Sequence, residues 1–266
     1  MAEGEAVTEN VQDFIIKNGV LTKHDGSGGD VTIPAGVTLI RYQAFNGVKK
    51  LTGVTIPESV KKKQNGAFCG TGLTSITIPE GVTESSSGTF CRCTGLKSVD
   101  IPEGVKKINS YAVIDCTSLT CMTILKSVTE IGEKSFARCS GLASVTIQGS
   151  AAKIDKTAFE GCCPVIIAPH IPIDNFAPAV RPDAVRGFAR LYLEGVELDE
   201  EIRIGYLKYI KGNKKRLYPT VVEEEALLRL MLAEKLVTKN DIQPLLDEAD
   251  KQGNTAAKAA LLDDMN

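Results

Sequence analysis

Tryptophan is absent from this chain of 266 residues, and aromatic residues together make up only 5% of it. A carbohydrate platform built on aromatic stacking would therefore be thin. Histidine occurs twice, as His24 and His170, and neither lies near a pair of cysteines. No stretch approaches the roughly 20 apolar residues that a membrane-spanning helix needs. Net charge is nearly absent too: 31 basic and 33 acidic side chains leave −2, which gives no general drive towards nucleic acid or anionic lipid. The opening Met1-Ala2-Glu3-Gly4-Glu5 is acidic and has no apolar core, so no secretory signal is visible. The chain as written is expected in the cytoplasm unless an export signal lies outside it. Catalytic signatures are missing as well. There is no G-x-S-x-G, no H-E-x-x-H and no Walker sequence. Adjacent carboxylates such as Glu200-Glu201 and Glu223-Glu224-Glu225 fall at expected helix starts, where the helix dipole accounts for them. No enzyme, cofactor or metal site is expected.

What the chain has in quantity is repetition. The motif I-P-x-x-V begins at Ile33, Ile56, Ile78 and Ile101, with degraded copies at Ile124 and Ile147. The steps are 23, 22, 23, 23 and 23 residues. Such a period is the mark of a solenoid, in which each unit buries its apolar face only against its neighbours. Within a unit, Val31-Thr32-Ile33 alternates as a half-buried strand does. Pro34, Pro57, Pro79 and Pro102 end that strand, because proline cannot donate the next ladder hydrogen bond. Val37 and Ile40, with their counterparts, predict a second short extended piece. Ala44-Phe45 and its equivalents fit one tight turn that drops Phe45, Phe68, Phe90, Phe136 and Phe159 into the core, with Val113 in the remaining copy. The second repeat is one residue short at Gly70-Thr71-Gly72, where a local irregularity is expected.

Eight cysteines would suggest a disulfide framework in a small secreted protein. Here Cys93, Cys116, Cys139 and Cys162 each lie three residues after the Phe position, and Cys69 and Cys91 follow that Phe directly. Recurrence at one repeat phase reads as small core filler, since free cysteine packs as a small hydrophobe. Cys91-x-Cys93 and Cys162-Cys163 are not zinc spacings. Pairing of a cysteine with His24 or His170 is not expected, because both are read as loop residues at opposite ends of the array.

Repeats reading V-T-I-P-E-G-V-T-x-I-G-x-x-A-F-x-x-C-x-x-L resemble the BspA-like, or Treponema pallidum-type, class of leucine-rich repeat proteins. The likeness covers about 31 to 165, and the opening Ile16-Lys17-Asn18-Gly19-Val20-Leu21 is similar to the way such arrays begin. The resemblance implies a curved parallel solenoid without enzymatic activity. It also implies kinship with mostly bacterial, often cell-surface proteins that bind host proteins or other cells. Departures from the pattern cluster. The core Ile becomes Lys63 and Ser85, and an inward, unpaired lysine is costly unless it snorkels to solvent. The following glycine becomes Arg41, Gln64, Ser86 and Asn109, and is kept as Gly132.

Asn18-Gly19 between apolar runs is a strong hairpin signal and predicts an N-terminal cap over 1–30, with residues 1 to about 10 frayed. Gly26-Ser27-Gly28-Gly29 links it to the array; as a phosphate-cradling loop it lacks the following Lys-Ser/Thr and helix. The solenoid is expected over 31–173. From 174 to 266 the periodicity turns helical. Helices are expected over Asp183–Leu193, from Asp199 to Gly212, over Glu223–Leu236, from Thr238 to Gln252, and from Thr255 to Met265, with Pro219 breaking the stretch after Gly212. Asp247 to Leu262 is similar to the helix-turn-helix phrasing of ankyrin-type repeats, without their T-P-L-H signature. This region either caps the array or forms a separate module. Its basic run Lys208, Lys211, Lys214, Lys215 and Arg216, interleaved with Tyr206, Tyr209 and Tyr218, reads as a solvated helix face rather than a nucleic-acid patch.

The fold class is thus α+β, a leucine-rich repeat solenoid with a hairpin cap and an all-α C-terminal region. The expected function is a non-enzymatic protein-binding scaffold. A ladder of Thr32, Thr55, Thr77, Asp100, Thr123 and Thr146 on the strand face, with Arg41, Gln64, Ser86 and Asn109 as a stripe beside it, is the expected contact surface. Bacterial cell-surface adhesin, or intracellular adaptor working through the helices, are the other readings. A protein partner is expected, with no nucleic acid and no membrane span.

Overall fold

A computed structural model describes residues 8–11, 13–60, 62–63, 65–80, 82, 86–149, 153–162 and 164–264. Two compact units divide the chain, residues 1–164 and 165–266.

The first unit opens with β1 (Thr8–Val11), β2 (Phe14–Lys17) and β3 (Val20–His24), paired antiparallel in sequence. Asn18 and Gly19 turn the β2–β3 hairpin with φ of 49° and 72°, the left-handed conformation that a two-residue hairpin turn demands. The fraying expected of residues 1–10 does not reach Thr8–Val11, because β2 offers their backbone a full set of antiparallel partners. The hairpin is also the first coil of the array: β3 continues in parallel into the strand of repeat one, Val20 opposite Leu39 and Leu21 opposite Ile40.

Repeat one contributes β4 (Gly29–Thr32) and β5 (Leu39–Ile40), repeat two β6 (Leu51–Thr55) and β7 (Lys62–Lys63), and repeat three β8 (Ser75–Thr77). Repeat four adds β9 (Ser98–Asp100) and β10 (Lys107–Ile108), repeat five β11 (Cys121–Ile124) and β12 (Glu130–Ile131), and repeat six β13 (Ser144–Ile147) and β14 (Lys153–Ile154). All the pairings between repeats are parallel. The first strands pair as β4–β6, β8–β9 and β11–β13, and the ladder is interrupted between β6 and β8 and between β9 and β11. The first interruption falls at the shortened repeat. There Gly72 runs so close to repeat one that an added Cβ would sit 2.0 Å from the Lys49 carbonyl oxygen.

The Phe turns form a third row of backbone bonds. In the first five turns the residues two before and two after the Phe position adopt positive φ, whether glycine (Gly47, Gly66, Gly70, Gly88) or not (Gln43, Arg92, Tyr111, Asp115, Lys134, Arg138), and in the sixth only Gly161, two after, does so. This geometry points amides at the next repeat. Gly47 donates to Cys69 O, Gly70 to Cys91 O, Arg92 to Ile114 O, Asp115 to Ala137 O and Arg138 to Glu160 O, at 2.7–3.0 Å. The bonds between repeats offset the αL cost of roughly 1–2 kcal/mol that each non-glycine residue carries.

Inside, Phe45 stacks on Phe68 at 4.9 Å and Phe68 on Phe90 at 5.7 Å, while Phe136 and Phe159 stack at 5.3 Å. Offset stacks of this kind add about 0.5–1.5 kcal/mol each beyond burial. Val113 breaks the column, and a small apolar cavity lies beside it between Phe90 and Phe136. His24 heads the column. It stacks on Phe45 at 5.2 Å, is 5% exposed, and leaves both ring nitrogens without a hydrogen-bond partner among the described residues. The expected loop histidine is therefore a core residue at the end of β3, held neutral by desolvation, which lowers its pKa despite Asp13 and Asp25. Behind the rings runs the cysteine column. Cys93 donates to Phe68 O, Cys116 to Phe90 O and Cys139 to Val113 O, each at 3.1 Å. These three are the core fillers the repeat phase predicts. Cys69 and Cys91 are not: they are joined by a disulfide, because their shared turn position brings the α-carbons of successive repeats to 4.6 Å.

The second unit begins with β15 (Val165–Ile167), followed by a short 3-10 turn at Ile173–Asn175. Five helices follow: α1 (Arg181–Leu193), α2 (Glu200–Glu223), α3 (Glu225–Ala233), α4 (Lys239–Gln252) and α5 (Thr255–Asp263). Gly187 lets α1 lie directly on β15, since a Cβ there would sit 1.8 Å from Ile166 O. The break expected at Pro219 does not occur. Helix α2 runs through it and bends instead at Asn213, whose φ of −121° leaves the helix while its side chain donates to Tyr209 O at 2.9 Å. Thr238 and Asp241 form the capping box of α4, and Gly253 closes it in the αL conformation.

A polar strand face and a helical hub as candidate sites

The first strands place one face outward. Thr32 lies opposite Thr55, Thr77 opposite Asp100, and Thr123 opposite Thr146. All are exposed except half-buried Thr146. Thr77 donates to Asp100 Oδ2 at 3.3 Å. Strand alternation puts a second row on the same face two residues earlier: Asp30 opposite Gly53, Ser75 opposite Ser98, and Cys121 opposite Ser144. The period-2 rule carries that row in the sequence, but it is hidden when the V-T-I triplet is read alone.

The missing side chain at Gly53 opens a shallow hollow of about 480 Å³, floored by Thr32, Thr55, Ser75 and Thr77 and edged by Asp30 and Glu58. The Asp30 carboxylate leans over it, accepting from Thr52 Oγ1 at 2.8 Å. Charge on this side is acidic through repeats one to four, and Lys126 takes the turn position of Glu58, Glu80 and Glu103 in repeat five. Asp30, Glu58, Glu80, Asp100 and Glu103 are all exposed, and among the described residues none of them stands in an ion pair. Cations such as Arg41, Arg92, Lys107, Lys134 and Arg138 belong to the second strands and the Phe turns instead.

The polar stripe is not beside the threonine ladder. Arg41 follows β5 and Asn109 follows β10, on the second-strand ladders, whereas the threonines stand on the separate first-strand sheets. Arg41 is exposed, Ser86 and Asn109 are half-buried, and Gln64 lies outside the described residues. Ser86 O accepts from Thr89 Oγ1 at 2.6 Å, which ties it to the turn. Lys63 lies opposite Ile40 in β7, and its side chain is outside the description.

Of the free thiols, Cys121 is exposed on the strand face and Cys162 is half-buried, whereas Cys93, Cys116 and Cys139 are buried. Burial pushes Cys93, Cys116 and Cys139 up, Cys139 to about 11, so they stay protonated and unreactive at neutral pH. Among the described residues no group of three or more His, Cys, Asp or Glu side chains converges as metal ligands would.

In the helical unit the basic run comes apart. Tyr206 is buried, stacked on Phe188 at 4.5 Å, and its hydroxyl donates to Ile171 O at 3.3 Å. Lys214 turns inward to Asp241, while Lys208, Lys211, Lys215 and Arg216 remain exposed. Asp241 is the hub. It accepts from Lys214 Nζ, Tyr218 OH, Thr238 N and Thr238 Oγ1. Burial alone would raise its pKa; the hydrogen bonds from Lys214, Thr238 and Tyr218 win and hold it far below the usual carboxylate range. A second hub, Glu224, accepts from Arg190 at 2.9 and 3.1 Å and from Arg186 at 3.5 Å. No described helix is long and apolar enough to cross a membrane.

The sequence matches the family model described as BspA type Leucine rich repeat region, in six copies, over residues 23–142 and 64–174. No curated protein sequence matches the chain. Among solved structures, a leucine-rich repeat protein from Eubacterium ventriosum is similar at 23% identity over 60% of this chain and 51% of that one, with a TM-score of 0.53. This chain thus spans about half the length of that relative. A leucine-rich repeat protein of T. pallidum aligns at 28% identity over 55% of this chain and 70% of that one, with a TM-score of 0.47.

Proposed function

The chain belongs to the BspA-type leucine-rich repeat family, and from that premise we propose that it is a non-enzymatic scaffold that binds a protein through the outer face of its first strands. Repeat proteins of this kind generally serve as protein-binding scaffolds, because stacked strands give a rigid, preordered surface whose ordering cost has already been met in folding. The observation that carries the reading is the pair of outward rows of mostly short polar side chains, Thr32 to Thr146 and Asp30 to Ser144, in register within the strand pairs β4–β6, β8–β9 and β11–β13. Small side chains leave the face flat and accessible. Its unpaired carboxylates favour a basic partner surface, bound faster at low salt. The stripe of Arg41, Gln64, Ser86 and Asn109 is a separate contact candidate on the second-strand side.

The test is capture from native cells by the intact chain and by a variant carrying Thr55→Arg and Thr77→Arg. Both positions are exposed, and the arginines cover the face and offset part of its negative charge. Loss of a captured protein with an unchanged circular dichroism spectrum is the expected result. Undiminished capture by this variant, with loss on altering Lys208, Lys211 and Lys215, would transfer the function to the helical unit and the adaptor reading. The Cys69–Cys91 disulfide favours the cell-surface reading over the cytosolic one, since structural disulfides persist in oxidising compartments.

A further inference from the structure

The two interruptions in the first-strand ladder are each bridged on the opposite, turn side of the coil. Between repeats four and five, where β9 and β11 do not pair, Arg138 grips Asp115 with two bonds of 2.7 Å and Tyr111 donates to Glu133 at 2.9 Å. Between repeats two and three, where β6 and β8 do not pair, Cys69 and Cys91 are covalently joined. The described strand side of that second junction keeps one backbone bond, Thr74 N to Thr52 O at 3.1 Å. Its ring contact, Phe68 on Phe90 at 5.7 Å, is the widest of the phenylalanine stacks. The equivalent turn positions in other repeats are Asn46, Ile114, Ala137 and Glu160, so only this junction can carry the link.

We propose that Cys69–Cys91 is a redox latch: oxidised, it holds repeats one and two in register with the rest of the array, and reduced, it frees them to hinge at Gly70–Gly72. In the reducing step a dithiol attacks one sulfur of the disulfide. The sulfur–sulfur bond breaks, two electrons and two protons pass to Cys69 and Cys91, and the dithiol leaves as its own disulfide. An outside thiol can reach the pair, because both residues are half-exposed. The neighbouring Cys93 does not exchange with it. That thiol is fully buried, donates to Phe68 O at 3.1 Å and has its pKa raised by burial, so it supplies no thiolate.

The test uses the full chain, first alkylated without reductant and mapped by mass spectrometry, then followed by hydrogen exchange with and without dithiothreitol. A linked Cys69–Cys91 peptide is expected. Reduction should raise exchange about tenfold or more at the turn amides of Gly66, Phe68 and Gly70 and in repeats one and two, leaving repeats five and six unchanged. Cys69→Ser/Cys91→Ser should match the reduced protein and ignore dithiothreitol. If that variant does not fold, the reduced wild-type chain alone decides. Free thiols at both positions in the oxidised protein, or identical exchange in both states, would overturn the latch.

Discussion

The solenoid and the helical unit hold themselves together in opposite ways. In the solenoid, each stabilising element is repeated with small variation: a ring on a ring, a thiol on a carbonyl, a turn amide on the next turn. Apart from the Cys69–Cys91 link no single position dominates, and loss at one junction is shared with its neighbours. In the helical unit, stability is concentrated. Asp241 gathers four donors from three places in the chain, and Glu224 gathers two arginines of α1. Repetition buffers damage, whereas concentration exposes a few residues to it.

Substitutions can press that contrast from its strong end to its weak one. Asp241→Ala leaves Lys214 and Tyr218 without their shared acceptor and should cost about 3–5 kcal/mol in urea unfolding of the helical unit, with amide protection in the solenoid retained. The same carboxylate sets an acid limb. Its folded pKa lies below the unfolded value of about 3.9, so its contribution is complete above that pH and fades as pH falls below it. Asp241→Asn should flatten that limb. A retained limb would show that another group carries it.

Asp183 works in the reverse sense. Burial pushes its carboxyl up to about 7, against the nearby Arg186. A raised folded pKa means the unfolded chain gives up its proton first, so the unit loses stability as pH climbs from about 4 to about 7. Asp183→Asn should therefore stabilise by about 2 kcal/mol at pH 8 and by little near pH 4. A pH-independent difference in Tm between the two proteins would refute this. The smallest effect belongs to the buffered unit. Val113→Phe fills the cavity between Phe90 and Phe136 and completes the ring column, for a gain of about 1 kcal/mol; a loss of stability would mean the site is already full.

How much of this was readable beforehand follows the same divide. Period and alternation gave the strands and the core phenylalanines, since a repeated position reports on its own environment in every copy, while the hairpin was read from the Asn18-Gly19 turn alone. The α4 capping box was readable because Thr238 and Asp241 are local. Long-range partners were not. Nothing near Asp241 in the chain names Lys214 or Tyr218; the expected helix end at Gly212 is the bend at Asn213, but that the helix resumes and runs through Pro219 was not readable. Cys69 and Cys91 shared a repeat phase with no sign that the turns bring them into bonding distance. His24 was misplaced because its burial depends on a hairpin that itself becomes a coil of the array. On the candidate face the threonine row was visible, whereas the acidic hollow at Gly53 and the separation of the Arg41 stripe depend on which strands share a sheet.

The left-handed residues that follow each phenylalanine position by two have a practical side. Arg92, Asp115 and Arg138 occupy one such row with side chains that differ in size and charge, yet each keeps the same amide bond to the following turn. Backbone fixed, side chain variable: that is the specification of a display row. A library built at positions 92, 115 and 138 would vary what the solenoid shows at intervals of one repeat and leave its rings, thiols and strands alone, while giving up the ion pair of Arg138 with Asp115.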